Sequence, residues 1–388
     1  MSSRIHKLGD LFESSKEKGW QGLPLLSVTL RDGLVPRQSL DRRTDTNIDA
    51  EDHLLVKEGY LAYNMMRVWQ GALGMAESDG IVSPAYVVLK PTSQVSSVYA
   101  KYLFKSSRMI YLFWAYSYGL TKDRLRLYYN DFSKISIKLP DIPEQKKIAQ
   151  ILATWDKAIT TTEQLLANSQ QQKKALMQQL LTGKKRLLDD KYKNYSEPWK
   201  IKPIAELASV IMGSSPKSNF YNSDRIGLPL IQGNADIKNK KSCPRIYTAE
   251  VTKECKPRDI LLSVRAPVGS VAISLHHACI GRGVATIRAL EYCSQEFLYQ
   301  WLGWFEPRWR SFSQGSTFES INSADIKQLK IRLPEIFEQR KIAAVLSSTD
   351  QEVELIQNKL ECLNQEKKAL MQQLLTGKRR VKLTEDVA

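Results

Sequence analysis

Lys173-Lys174-Ala175-Leu176-Met177-Gln178-Gln179-Leu180-Leu181-Thr182-Gly183-Lys184 returns, residue for residue, as Lys367-Lys368-Ala369-Leu370-Met371-Gln372-Gln373-Leu374-Leu375-Thr376-Gly377-Lys378. The second copy starts 194 positions after the first (173 to 367), half of the 388-residue chain. Upstream, Leu139-Pro140-Asp141-Ile142-Pro143-Glu144-Gln145-Lys146-Lys147-Ile148-Ala149 aligns with Leu333-Pro334-Glu335-Ile336-Phe337-Glu338-Gln339-Arg340-Lys341-Ile342-Ala343 without a gap. Duplication on this scale implies internal two-fold character, and two-fold proteins tend to bind two-fold or bipartite partners.

Each repeat reads as one long helix. Leu-Pro and acidic residues open it, Thr-Gly closes it, and basic residues follow at Lys184-Lys185-Arg186 and Lys378-Arg379-Arg380. These suit the two ends of a helix dipole, with glycine after the last turn. Between the stops, Ile148, Leu152, Trp155, Ile159, Leu166, Leu176 and Leu180 keep a heptad-like spacing. So do Ile342, Leu346, Val353, Ile356, Leu360, Leu363, Leu370 and Leu374. Such a seam seeks a coiled-coil partner. Each helix would be on the order of 60 Å long at about 1.5 Å per residue. Thr162, Ser169, Lys173, Thr349 and Lys367 interrupt the seam. The simplest pairing is between the two helices of this chain, and pairing with helices of another protein stays open.

The segments before the helices correspond more faintly. Ile5-His6-Lys7-Leu8-Gly9-Asp10-Leu11 resembles Ile201-Lys202-Pro203-Ile204-Ala205-Glu206-Leu207, and Asp131–Pro140 matches Asp325–Pro334. Tyr60–Asn64 and Asp259–Val264 read as corresponding buried strands, Ala85–Leu89 and Ala285–Ile287 as later ones. Helices are expected around Val98–Phe113 and Gln295–Trp304, with Met109–Leu120 read as buried helix. Strands followed by segregated helices give an α+β class. The expected boundaries are a first domain 1–142, a helix 143–187, a linker 188–198, a second domain 199–336, a helix 337–380 and a tail 381–388. The two domains share a length, a start and an end but differ inside, as two different recognition tasks would require.

The net charge of +16 and pI of about 9.5 favour a polyanionic partner, nucleic acid before membrane. The longest apolar stretch falls far short of the roughly 18–20 residues needed to span a bilayer. Met1-Ser2-Ser3-Arg4 carries no apolar signal region, and the five scattered cysteines form no Cys-x-x-Cys pair. Reduced thiols in a cytoplasmic, nucleoid-associated protein are expected. Catalytic signatures are missing from the sequence: no Asn/Asp-Pro-Pro-aromatic run and no phosphate loop. Pro140-Asp141 with Glu144-Gln145-Lys146 has the outline of a metal-nuclease cluster, but the second copy, Pro334-Glu335 with Glu338-Gln339-Arg340, does not keep the lysine, and helix-start capping explains the acids. His276-His277-x-Cys279 has no evident partner ligand pair for a metal.

Together the two Leu-Pro-x-Ile-x-Glu-Gln-x-Lys-Ile-Ala openings and the two Leu-Leu-Thr-Gly-Lys endings resemble the DNA-specificity subunit of type I restriction-modification enzymes. Gly213-Ser214-Ser215-Pro216, Asp259–Arg265 and Gly315-Ser316-Thr317-Phe318 are similar to further pieces of that family. The first domain departs from it: it lacks a Gly-x-Ser-Pro loop, and Lys122 stands where Phe318 does. The resemblance implies two target-recognition domains, each reading one half of a split, asymmetric double-stranded DNA site. It implies two long helices packed antiparallel as a pseudo-two-fold coiled-coil spacer. It also implies two methyltransferase subunits docked on helices and domains, with restriction subunits joining for cleavage. Those partners would hold S-adenosylmethionine for adenine N6 methylation, and ATP and Mg, leaving this chain without a cofactor, a metal or catalysis of its own. The alternative is a free-standing DNA methyltransferase or nuclease.

Candidate DNA contacts follow from side-chain chemistry. In the first domain they are Arg31, Arg37, Arg42, Arg43, Arg67, Gln70, Thr121, Lys122, Arg124 and Arg126. In the second they are Ser214, Ser215, Lys217, Gln232, Asn234, Arg265, Ser316 and Thr317. Lys238, Lys240 and Lys241 cluster in sequence with Lys217, and Arg308 and Arg310 flank Trp309. For any one cation the plain alternative is a solvated charge, and for Arg67 and Arg265 an internal salt bridge. Candidate partner-docking residues are Glu144, Gln145, Ile148, Leu176, Leu180, Glu338, Gln339, Ile342, Leu370 and Leu374.

Overall fold

The structure, a computed structural model, describes residues 4–382 apart from 31, 41–48, 122–123, 189–194, 196 and 310–319. It comprises two compact units. Unit one is Met1–Glu163 with Asn358–Ala388, and unit two is Gln164–Gln357. The long helices run Ile142–Leu180 and Ile336–Leu374, 39 residues each. Unit one therefore holds the start of the first helix and the end of the second. Unit two holds the end of the first and the start of the second.

The repeat extends into the sheets. In unit one, Phe12–Ser15, Tyr86–Pro91, Leu61–Asn64 and Leu73–Met75 form an antiparallel sheet in that order. In unit two, Ala208–Met212, Val284–Ala289, Ile260–Ser263 and Val271–Ile273 keep the same order. Unit two extends this sheet with Lys241–Ser242 and Ile237–Lys238, and adds a five-stranded sheet around Leu228–Ile231 and Ala278–Ile280. A terminal strand pair recurs as well, Arg4–Lys7 with Ser136–Leu139 and Lys200–Pro203 with Lys330–Leu333. The four-strand framework is common, and the added strands are where the interiors diverge.

Each core is finished by the other repeat's helix end. Leu374 and Leu375 pack in unit one with Leu8, Phe132, Ile148, Ala149 and Leu152. Leu180 and Leu181 pack in unit two with Ile204, Trp301, Ile342, Ala343 and Leu346. Polar contacts follow the same reciprocal rule. Arg380 clamps Glu144 in unit one, donating from Nε and Nη2 to its two carboxylate oxygens. In unit two, Arg186 donates to Glu338 from Nε at 3.1 Å and from Nη2 at 2.6 Å. Lys367 pairs with Asp156 and Lys173 with Asp350. As residue numbers rise on one helix they fall on its partner, so the helices pair antiparallel inside each unit. From sequence Lys173 and Lys367 break the seam. In the structure each lays its stem along the seam and ties its ammonium to the opposing aspartate, which is how a long amphipathic side chain occupies such a position.

Two helix expectations need correction. Val98–Phe113 is not one helix but two, Ser97–Leu103 and Ser107–Ala115, because Ser96 and Ser106 each cap a fresh start by accepting from Tyr99 N and Met109 N. Met109–Leu120 is not a buried helix. It ends at Ala115, buries Met109 and Phe113, and leaves Tyr111, Trp114 and Leu120 exposed. Among the described residues no helix is long and apolar enough to cross a membrane.

Glu144 and Glu338 have 1% and 0% of their surface exposed, so removing the arginine would leave each as a buried carboxylate without its partner. Arg380→Ala should cost about 2 kcal/mol, tempered because that guanidinium is partly in water. Native-state hydrogen exchange should show the loss in unit one and leave unit two protected. Arg186→Ala should do the reverse, and equal loosening of both units by either variant would refute the pairing.

Candidate nucleic-acid interface

In unit one the strand Leu61–Asn64 runs into a 3-10 turn, Val68–Gln70, which presents Arg67 and Gln70 at its surface. Leu127 N–H donates to Met65 O at 3.0 Å and holds the Tyr118–Tyr128 segment beside this turn. Tyr118 and Arg126 bridge as a short antiparallel pair, and the rings of Tyr118 and Tyr128 lie 5.5 Å apart. Arg67, Gln70, Arg126 and, one turn further, Arg124 and Thr121 thus share one exposed region, with Arg124 N–H donating to Thr121 O at 3.0 Å. Arg67 also lines an open cleft of about 400 Å³ with Val28, Thr29, Leu30, Asp32 and Ala72. Arg37 is partly buried and already engaged. Arg31, Arg42, Arg43 and Lys122 lie outside the described residues.

Unit two gathers its candidates more tightly. Gly213 N–H donates to Val284 O at 2.9 Å and Ser214 N–H to Ile280 O at 3.0 Å, fastening the Gly-Ser-Ser-Pro loop to the ends of two strands. Gln232 sits beside it, its Nε2 donating to Tyr221 OH at 2.9 Å, while Tyr221 OH donates to Pro216 O at 3.1 Å. Gln232 N–H donates to Asp236, whose carboxylate also takes Arg245 Nε at 3.0 Å. Val264 N–H donates to Gly283 O at 3.0 Å, which brings Arg265 to the same end of the sheet. Ser214, Ser215, Gln232 and Arg265 are therefore assembled by backbone contacts, and exposed Lys217 and Asn234 flank them. Among the described residues neither Arg67 nor Arg265 forms an ion pair, so an internal salt bridge does not account for either. Ser316, Thr317, Phe318 and Arg310 lie outside the described residues.

Other cations are placed elsewhere. Lys241 pairs with Glu354 at 2.7 Å on the second long helix, and Lys240 with Glu306 at 3.8 Å. Burial pushes the Glu306 carboxyl up, and Lys240 draws it partway back. These lysines do not join Lys217. Arg308 lies over the Trp304 ring at 3.8 Å, while Trp309 is buried.

The docking residues expected from sequence are largely internal. Glu144, Gln145, Ile148, Leu180, Glu338, Gln339, Ile342 and Leu374 are buried, and Leu176 and Leu370 are half-buried against the cores. Their work is structural. Gln145 Oε1 accepts from Ser96 N at 2.9 Å, and its Nε2 donates to Pro140 O and Gln94 O. Gln339 repeats this with Ser294 N at 2.8 Å, Pro334 O and Tyr292 O. In each copy the glutamate holds the other repeat's arginine and the glutamine clips its own domain's helix cap. No group of three or more His, Cys, Asp or Glu able to hold a metal occurs among the described residues.

With this geometry in view, the model of the type I restriction modification DNA specificity domain matches residues 39–168 and 196–365. The putative type I restriction enzyme MjaX specificity subunit of Methanocaldococcus jannaschii is 33% identical over 255 residues, 64% of this chain. That match spans only 60% of the relative's length. The fold is similar to that of the HsdS subunit from Thermoanaerobacter tengcongensis, with TM-score 0.51, 23% identity and 97% of both chains covered. It is also similar to the type I restriction-modification S subunit from M. genitalium, with TM-score 0.63, 15% identity, and 99% and 97% covered.

A Cβ at Gly213 would meet Gly281 O at 2.2 Å and Val284 O at 2.7 Å, backbone atoms that cannot swing aside. Gly213→Ala should destabilise unit two by about 2 kcal/mol, read as a lower urea midpoint. Gly303→Ala, inside a helix with open space at its Cβ, should instead stabilise by up to about 1 kcal/mol.

Proposed function

This chain belongs to the type I restriction-modification DNA specificity family, and from that membership we propose that it reads a bipartite, asymmetric double-stranded DNA site. Each domain takes one half. The observation that carries this is one four-strand framework repeated with unlike side chains at its strand ends. Arg67, Gln70, Arg124 and Arg126 stand on one copy, and Ser214, Ser215, Gln232 and Arg265 on the other. Arginine and glutamine have the directed donors and acceptors that base edges require, and the surplus of cations suits phosphate.

In this reading the long helices set the distance between half-sites and carry two methyltransferase subunits, with restriction subunits joining through the complex. Because the Glu-Gln motifs are buried within the fold, docking falls to the exposed faces of the helices and domains. Adenine N6 methylation with S-adenosylmethionine, and ATP- and Mg-dependent cleavage, belong to those partners. This chain contributes recognition in the cytoplasm, at the nucleoid.

Methylation mapping of the chain with its methyltransferase partner should return one split, adenine-containing motif, and a contiguous motif would count against the reading. Exchanging residues 1–140 for another family domain should change one half-site only. Adding or removing a heptad in the paired helices should change the gap between half-sites. Turnover by the purified chain alone, with Mg²⁺ or S-adenosylmethionine, would favour a free-standing enzyme.

A further inference from the structure

We propose that Arg282 is a base-reading residue of the second domain and that it contacts a guanine in that domain's half-site. The proposal deepens the DNA-reading function above and rests on it. Gly281-Arg282-Gly283-Val284 forms a tight turn closed by Val284 N–H donating to Gly281 O at 3.1 Å, with Arg282 at its first corner. The corner is pinned on three sides. Arg282 N–H donates to Ser215 Oγ at 3.1 Å. Gly281 N–H donates to Ile231 O at 2.8 Å, next to Gln232. Gly283 O accepts from Val264 N–H, next to Arg265. A Cβ at Gly283 would meet Gln232 O at 2.3 Å, so only glycine lets these segments cross so closely.

On this rigid crossing the Arg282 side chain is exposed, and among the described residues its guanidinium has neither a carboxylate nor a hydrogen-bond partner. Several other arginines of unit two are held by carboxylates. Arg288 grips Asp259 at 2.7 and 2.6 Å, Arg245 takes Asp236, and Arg258 takes Glu296. An arginine held by its backbone and free at its head is preorganised for a ligand, since ordering it on binding costs less. Its planar fork matches O6 and N7 of guanine in the major groove, the commonest arginine contact to a base. Unit one has the same turn at Ser83-Pro84-Ala85-Tyr86, closed by Tyr86 N–H to Ser83 O at 3.0 Å, and proline occupies the corner. The reading element is therefore particular to the second domain.

The test uses the full chain in complex with its methyltransferase partner and duplexes carrying the mapped site. Each guanine of the second half-site is replaced in turn by 7-deazaguanine, which lacks the N7 acceptor. One replacement should weaken binding to the unaltered complex by about 5- to 150-fold. Arg282→Ala should lose a similar factor on the natural site and be indifferent to that replacement, with first-half guanines affecting both proteins equally. Arg282→Gln, which keeps the turn's N–H, should behave like Arg282→Ala, and unfolding midpoints equal to that of the unaltered chain exclude a folding defect. Unchanged affinity, multiplicative effects of variant and analogue, or a second half-site without guanine on either strand would overturn the proposal. So would a loss uniform over all sequences with a salt slope lower by about one, the mark of a phosphate contact. An unaltered complex with no bipartite preference would overturn the DNA-reading function itself, before any variant is made.

Discussion

A carboxylate sealed from water needs a cation beside it, and here that cation comes from the other repeat. Glu144 and Glu338 each sit at the start of a long helix with almost no exposed surface. Their partners, Arg380 and Arg186, lie just beyond the ends of the opposite helices. The pairing sets the register of the coil within each unit, and the leucine pairs 180–181 and 374–375 follow it into the cores. Two further pairs, Lys173 with Asp350 and Lys367 with Asp156, repeat the same logic one layer along. Ionic seams of this kind hold register more than they add net stability.

The glutamines beside these glutamates transmit that register into the domains. Gln145 and Gln339 bind the backbone of Ser96 and Ser294, the caps of the helices that cover each sheet. A further contact descends from the same seam. Tyr102 OH donates to Asp156 at 2.5 Å in unit one, and Gln300 Nε2 donates to Asp350 at 2.7 Å in unit two. The duplicated aspartate is kept, while the group that meets it differs. The framework thus ties helix to domain by equivalent positions and leaves the loops at the strand ends to vary.

Much of this was legible in the sequence, because its signals are local and periodic. The repeat, the heptad spacing and the Gly stops locate both long helices, which end at Leu180 and Leu374, short of the expected 187 and 380 because the Thr-Gly stops already break the helix. Strands at Leu61–Asn64 and Ile260–Ser263 follow from short apolar runs ending near arginine. What escaped depends on distant neighbours. The Glu-Gln motif reads as a surface for partners until the arginines 152 and 236 residues away are seen to cover it. Lys241 reads as a phosphate ligand until Glu354 is placed beside it. Arg282 carried one usable signal, its flanking glycines, but they gain meaning only when three backbone segments are known to cross there.

The division of the chain has a consequence for its birth. Unit two is made of consecutive residues, 164 to 357, whereas unit one draws on both ends of the sequence. Synthesis proceeds from the N-terminus, and domains fold as their residues emerge. All residues of unit two are therefore made before the core of unit one receives Leu374 and Leu375 and Glu144 receives Arg380. A polypeptide halted after residue 357 would hold every residue of unit two and leave the core of unit one without Leu374, Leu375 and the Arg380 clamp.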